Sequence, residues 1–199
     1  MSHATDDELQ RDLKPAPEGH GPLLQRDYWA VIDQCCASPG EIGRILAERF
    51  TEFPPPELVR FERRGGGDGP LEVGDEIDVH IHWAGDYAVR VVHRDAQSLT
   101  VATLEGHPEA GRITFGAYRN PQGDVVFHIR SRARAGSRTR YLGFLAGGDP
   151  MQTNTWTDFI NRFALCVGEG VTGYVHASKN EVEERPTDED PFAPTFEAR

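Results

Sequence analysis

The sequence predicts an α+β fold, a curved antiparallel sheet of about seven strands wrapped around one long C-terminal helix. Three observations predict it. A capped amphipathic helix follows the first strand. From residue 58 to residue 135 the apolar spacing becomes alternating. A single long stripe of aromatic and aliphatic residues at helical spacing then closes the folded region. One apolar sheet face and one apolar helix stripe are best buried against each other.

Leu23 to Asp33 is predicted as the first strand from Tyr28, Trp29, Val31 and Ile32, with an inward face left undecided by poor alternation. Ser38 can cap the next helix, Pro39 suits its first position, and Glu41 completes a capping box. Ile42, Ile45, Leu46, Phe50 and Phe53 form its apolar stripe. Pro54, Pro55 and Pro56 end it, because proline cannot donate a backbone hydrogen bond. Leu58 to Arg63 reads as a short strand before the glycine-rich loop at 65–69.

In the next strand Val73, Ile77, Val79, Ile81 and Trp83 take one face, and Asp78, His80 and His82 the other. Ala84 to Asp86 is read as the hairpin turn into Tyr87–His93, which sets His80 opposite Arg90 and His82 opposite Ala88. Leu99–Leu104, Arg112–Tyr118 and Val125–Ala133 supply further strands, the last two joined by a tight turn at Asn120–Gly123. Asp149 and Pro150 start the long helix. Trp156, Phe159, Ile160, Phe163 and Val167 form its stripe, and Gly168 or Gly170 ends it.

The chain has 199 residues, 38% hydrophobic and 27% charged, with a net charge of −11. That length suits one domain with appendages. Most of the negative charge sits in the ends, which also gather prolines and lack apolar periodicity. Residues 1–20 and 179–199 are therefore expected to be disordered acidic segments flanking a folded domain at 21–178. An acidic chain argues against nucleic acid as a partner, since nonspecific affinity comes from cations that neutralise phosphates. No stretch approaches the roughly 18 apolar residues of a membrane span. Asp6, Asp7 and Glu8 do not fit a signal peptide. Three cysteines, two of them adjacent at 35 and 36, make neither a disulfide framework nor a metal-ligand spacing. No cofactor or metal is expected, and the cytoplasm is the expected setting.

This element order resembles the START-like and birch-pollen-allergen-like helix-grip superfamily, which includes polyketide cyclases and lipid-transfer domains. A closer resemblance lies in Thr103-Leu104-Glu105-Gly106-His107-Pro108-Glu109-Ala110-Gly111, followed by a strand holding Phe115. It is similar to the T-L-x-G-H-P-E-x-G signature of an uncharacterised domain-of-unknown-function family. Asp124 to Ala135 resembles that family's next strand, and the resemblance covers about residues 70–170. Arg112 and Ile113 stand where the family usually has two glutamates, residues 98–102 replace a glycine- and aromatic-rich approach, and Arg134 to Arg138 lacks a Ser-Arg-Pro. The resemblance implies the helix-grip fold and supplies no chemistry. Whether Arg112 and Ile113 abolish an activity stays open.

A sheet curved around a helix tends to leave a gap that suits a small apolar or amphipathic molecule. Trp83, Tyr87, Phe115, Phe127, Trp156, Phe159 and Phe163 are expected to face it, and noncatalytic ligand binding is the leading reading. A cyclase- or hydratase-type enzyme is the second, with His107 as an acid–base group and Glu109 orienting it. That reading requires His107 to point into the gap, and a ring tied to backbone beneath its turn counts against it. The third is an interaction module. His128, Arg130, Arg132 and Arg134 alternate along one strand, extended by Arg138 and Arg140, as an anion site, a solvated outer face, or a seat for the acidic tail at 181–190. His80 and His82 lack a third ligand, so a solvated face is the favoured reading there. Tyr141 to Gly148 reads as a lid or a packed connection, and Cys166 as a small apolar residue without a basic neighbour. A homodimer is left open.

Overall fold

The computed structural model describes residues 6–82, 84–137 and 148–198, with only the backbone described at 6 and 148–151. Its strands are β1 (His20–Val31), β2 (Val59–Arg63), β3 (Glu76–Ile81), β4 (Gly85–Arg94), β5 (Ser98–Thr103), β6 (Glu109–Arg119), β7 (Val125–Ala135) and β8 (His176–Glu181). They form one antiparallel sheet in the order β2-β3-β4-β5-β6-β7-β1-β8. The helices are α1 (Asp6–Gln10), α2 (Pro39–Arg49), α3 (Gly148–Val167) and the one-turn α4 (Pro186–Glu189). This is the expected α+β helix-grip fold, with eight strands rather than about seven.

Local chemistry sets the two long elements of the concave side. The α2 capping box is closed: the Glu41 N–H donates to Ser38 Oγ at 3.3 Å, and the Ser38 N–H donates to Glu41 Oε2 at 2.7 Å. Ile42, Leu46, Phe50 and Phe53 then face Phe159, Ile160 and Phe163 of α3 across the core. The rings interlock: Phe50 meets Phe115 edge-on at 4.9 Å, and Phe127 stacks on Phe163 at 4.3 Å.

The register of β1 against β7 settles its inward face. Ala30 pairs with Phe127, Tyr28 with Ile129 and Arg26 with Ser131, so Arg26 points to the concave side. Between β3 and β4 the turn lies earlier than expected. Pairing resumes at Ile81 and Gly85, which puts His80 opposite Asp86 and Glu76 opposite Arg90. Val73 precedes the strand and is exposed rather than inward.

The main departure concerns the ends. Residues 6–19 and 176–198 pack on the sheet instead of fraying. Leu13 bridges to Leu104, and the Lys14 N–H donates to Thr103 O at 2.8 Å. Arg90 donates to the carbonyls of Leu9 and Arg11 at 3.0 and 2.6 Å, at the C-terminus of α1. Leu13, Val92, Ala102 and Leu104, joined by Phe192, make a second apolar cluster on the convex face. These contacts use backbone pairing and ionic partners, neither of which needs apolar periodicity.

Candidate functional site

Between the sheet and the N-terminal half of α3 lies a cavity of about 120 Å³. Its apolar wall includes Phe61, Val79, Val101, Ile113, Phe115 and Trp156. Its polar end is made by His107, Glu109, Ser131, Gln152 and Thr155. The strands β2 to β5 supply mostly apolar side chains, and the polar ones gather where the start of β6 and the later half of β7 approach α3.

Phe115 and Trp156 thus line the cavity, their rings 5.5 Å apart. Tyr87 turns its hydroxyl to the Ala84 carbonyl, and its ring meets the His107 ring at a steep angle, 5.4 Å between centres. Phe127, Phe159 and Phe163 are buried in the aromatic core, where Phe127 and Phe159 pack on Phe163 and Phe50. Trp83 and the segment 141–147 lie outside the described residues.

Glu109 opens β6 and shares the concave face with Arg26. Arg26 Nη1 donates to Glu109 Oε1 at 3.1 Å, with side chains 2% and 13% exposed. Gln152 Nε2 donates to Glu109 Oε2 at 2.9 Å. His107 borders the cavity, but its Nδ1 accepts the Glu109 backbone N–H at 3.1 Å. The ring is therefore oriented by backbone, and the Glu109 carboxylate serves Arg26 and Gln152. Arg26 and Gln152 were not among the expected site residues. Arg26 sits in the strand whose inward face the alternation left open, and Gln152 lies just before the apolar stripe of α3.

The arginine strand lies on the convex face, and the chain's own end covers it. Arg132 grips Asp188 with Nε to Oδ1 at 2.7 Å and Nη2 to Oδ2 at 2.6 Å. Arg112 approaches the same carboxylate at 3.4 Å, and Arg134 pairs with Glu184 at 2.7 Å. Arg130 and His128 both donate to Asp27 Oδ1, at 2.5 and 2.7 Å, beneath Phe196, which stacks on His128 at 4.5 Å. Burial pushes the Asp27 carboxyl up, but the hydrogen bonds from His128, Arg130 and Gln25 outweigh it and hold the group at about 2. Two of the strand's arginines, Arg132 and Arg134, thus have partners in the acidic 181–190 segment. Arg138 and Arg140 lie outside the described residues.

On the outer face of β3, His80 contacts Asp86 and His82 Nδ1 lies 2.8 Å from Glu57 O. Among the described residues no His, Cys, Asp and Glu group could hold a metal. Cys166 does have a basic neighbour: Arg49 Nη1 is 2.8 Å from its sulfur, brought there by the α2–α3 contact.

The family described as Domain of unknown function (DUF1990) matches residues 53–154. The chain belongs to this family. The matched span runs from just before β2 into the first turns of α3, so it carries the signature turn and most of the cavity wall. No curated protein matches the chain. Among solved structures, hypothetical protein jhp0584 from Helicobacter pylori is similar with a TM-score of 0.51 at 6% identity, covering 71% of this chain and 86% of that one. A norcoclaurine synthase point mutant from Thalictrum flavum, in complex with a transition-state analogue, has a TM-score of 0.51 at 12% identity, covering 73% and 97%. At such identities the likeness is one of fold alone. No helix among the described residues is long and apolar enough to cross a membrane.

Proposed function

We propose that this protein is a noncatalytic binding module that holds a small apolar or amphipathic molecule between the sheet and α3. The observation that carries this reading is the cavity of about 120 Å³, walled by Phe61, Val79, Val101, Ile113, Phe115 and Trp156. Cavities on the order of 150 Å³ with such walls stay dry and take up a single aromatic ring. Apolar contact with these side chains supplies affinity, and the polar end supplies orientation. A helix-grip relative solved with a bound transition-state analogue supports a small molecule as the kind of guest.

A cyclase-type reading keeps one observation, that His107 borders the same cavity. It is the weaker reading, because the Glu109 N–H occupies His107 Nδ1 and Arg26 holds the Glu109 carboxylate.

Native mass spectrometry of the purified full chain, with profiling of its solvent extract, tests the binding reading. A co-purifying small molecule is expected, and it should be lost in Val101→Trp, which fills the cavity. Extracts that match between V101W and the unaltered protein overturn the reading. Chemical conversion of the extracted molecule by the protein would transfer the case to the enzymatic one.

A further inference from the structure

The polar end of the cavity carries a hydrogen-bonding atom that no described residue satisfies. Gln152 stands in the first turns of α3 and lines the cavity. Its Nε2 donates to Glu109 Oε2 at 2.9 Å, and Glu109 Oε1 takes the Arg26 guanidinium at 3.1 Å. This chain of contacts fixes which way the amide faces. Turned over, it would set Gln152 Oε1 against a carboxylate oxygen, acceptor against acceptor. Gln152 Oε1 is thereby directed away from Glu109, and it is buried without a hydrogen-bond partner among the described residues. Buried acceptors are normally satisfied, and one that is not calls for a donor from elsewhere.

The surroundings restrict what that donor can belong to. Arg26 Nη1 is held by Glu109 Oε1, and the two opposite charges offset each other beside the cavity. A ligand carboxylate would meet Glu109 and Gln152 Oε1, both acceptors. Ser131, whose Cα pairs with Arg26, places a small hydroxyl residue on the same wall. Beyond this end the lining is aliphatic or aromatic apart from Thr103, whose hydroxyl is taken up by Lys14 O and the Gly111 N–H, and Arg112, whose guanidinium lies beside Asp188, so the body of the guest is hydrocarbon.

Resting on the binding reading above, we propose that the guest is a neutral apolar molecule, about one ring in width, with a hydroxyl or N–H that donates to Gln152 Oε1. Carboxylates of the same shape are disfavoured. A donor on the guest satisfies Gln152 Oε1 while Nε2 keeps Glu109. Gln152 is then a specificity residue, choosing alcohols, phenols or N–H groups over hydrocarbons and acids.

Titration of the full chain with 4-ethylphenol, 4-ethyltoluene and 4-ethylbenzoate, followed through the amide resonances of Phe115 and Trp156, tests this. The phenol should bind about three- to tenfold tighter than the toluene, the worth of one hydrogen bond, with the benzoate weakest. In Gln152→Met the phenol should lose its advantage while the toluene keeps its affinity, which also shows that the variant is folded. If Q152M unfolds by circular dichroism, Gln152→Leu carries the same comparison. Equal binding of phenol and toluene by the unaltered protein, or a phenol preference that survives in Q152M, overturns the donor assignment and leaves cavity binding standing. If none of the three probes shifts either resonance, the binding reading itself fails.

Discussion

Asp188 and Arg132 form a bidentate ion pair sealed from solvent, their side chains 1% and 2% exposed. Arg132 Nη2 also reaches Glu183 O at 3.0 Å, and the Arg185 N–H donates to Asp188 Oδ2 at 2.8 Å. The fork matches the geometry that guanidinium and carboxylate favour. It pins the end of the chain to the middle of the sheet. Arg112, which departs from the family signature, is the second cation on this carboxylate.

Removing one partner of such a pair strands the other charge, at a cost on the order of 3–5 kcal/mol. Asp188→Asn is expected to lower unfolding stability by about that amount in denaturant titration. It should also open residues 182–198 to limited proteolysis while β5–β7 stay protected. Equal protease sensitivity in both proteins would show that the pair does not hold the segment.

The pair at the cavity calls for a comparison of single and double changes. Glu109→Gln leaves Arg26 buried without its counter-charge, and a loss of about 3 kcal/mol is expected. Replacing both by apolar residues, Arg26→Met with Glu109→Leu, removes the stranded charge. The double variant is expected to be more stable than either single variant in thermal unfolding. Additive losses would mean that the two side chains do not act as a pair.

Asp27 dictates an acid limb. Its folded value of about 2 lies below its ordinary value of 3.8, so its contribution is complete above about pH 4 and is lost as pH falls toward 2. With allowance for solvent screening, the loss is about 1–2 kcal/mol. The Asp188 carboxyl behaves in the same sense, because burial pushes it up and its hydrogen bonds to Arg132 and the Arg185 backbone bring it down further. Stability measured between pH 5 and pH 2 should fall less steeply in Asp27→Asn than in the unaltered protein. Parallel curves would contradict the assignment.

Two glycines of the signature turn should respond differently. Gly111 has φ +152°, and a Cβ there would sit 2.2 Å from Arg132 O, within the β6–β7 pairing. Gly106 has φ +85° with open space around it. Gly111→Ala must push β6 away from β7 and is expected to cost on the order of 3 kcal/mol or more. Gly106→Ala meets only left-handed backbone strain, about 1 kcal/mol. Chemical denaturation of the two variants side by side checks the order.

Elements built on local periods were legible in the sequence. The Ser38–Glu41 box, the stripes of α2 and α3 and the alternation of β7 each lie within one segment, and all are present. The signature turn was legible too, through Gly106, Pro108 and Gly111. β8 was not, because its residues are almost all exposed and its place comes from backbone pairing with β1. The polar corner was equally hidden: Glu109 meets Gln152 from 43 residues away and Arg26 from 83.

What the sequence determined by itself was the class of fold and the order of its elements from β1 to α3, since periodicity and capping act over a few residues. The tertiary structure alone decided which cations are buried and by what. Arg26 faces inward to Glu109, while Arg112 and Arg132 are closed over by Asp188. An ion pair between distant segments leaves no period in either, so an acidic end that looks solvated by composition becomes the cover of the sheet once its partners are brought beneath it.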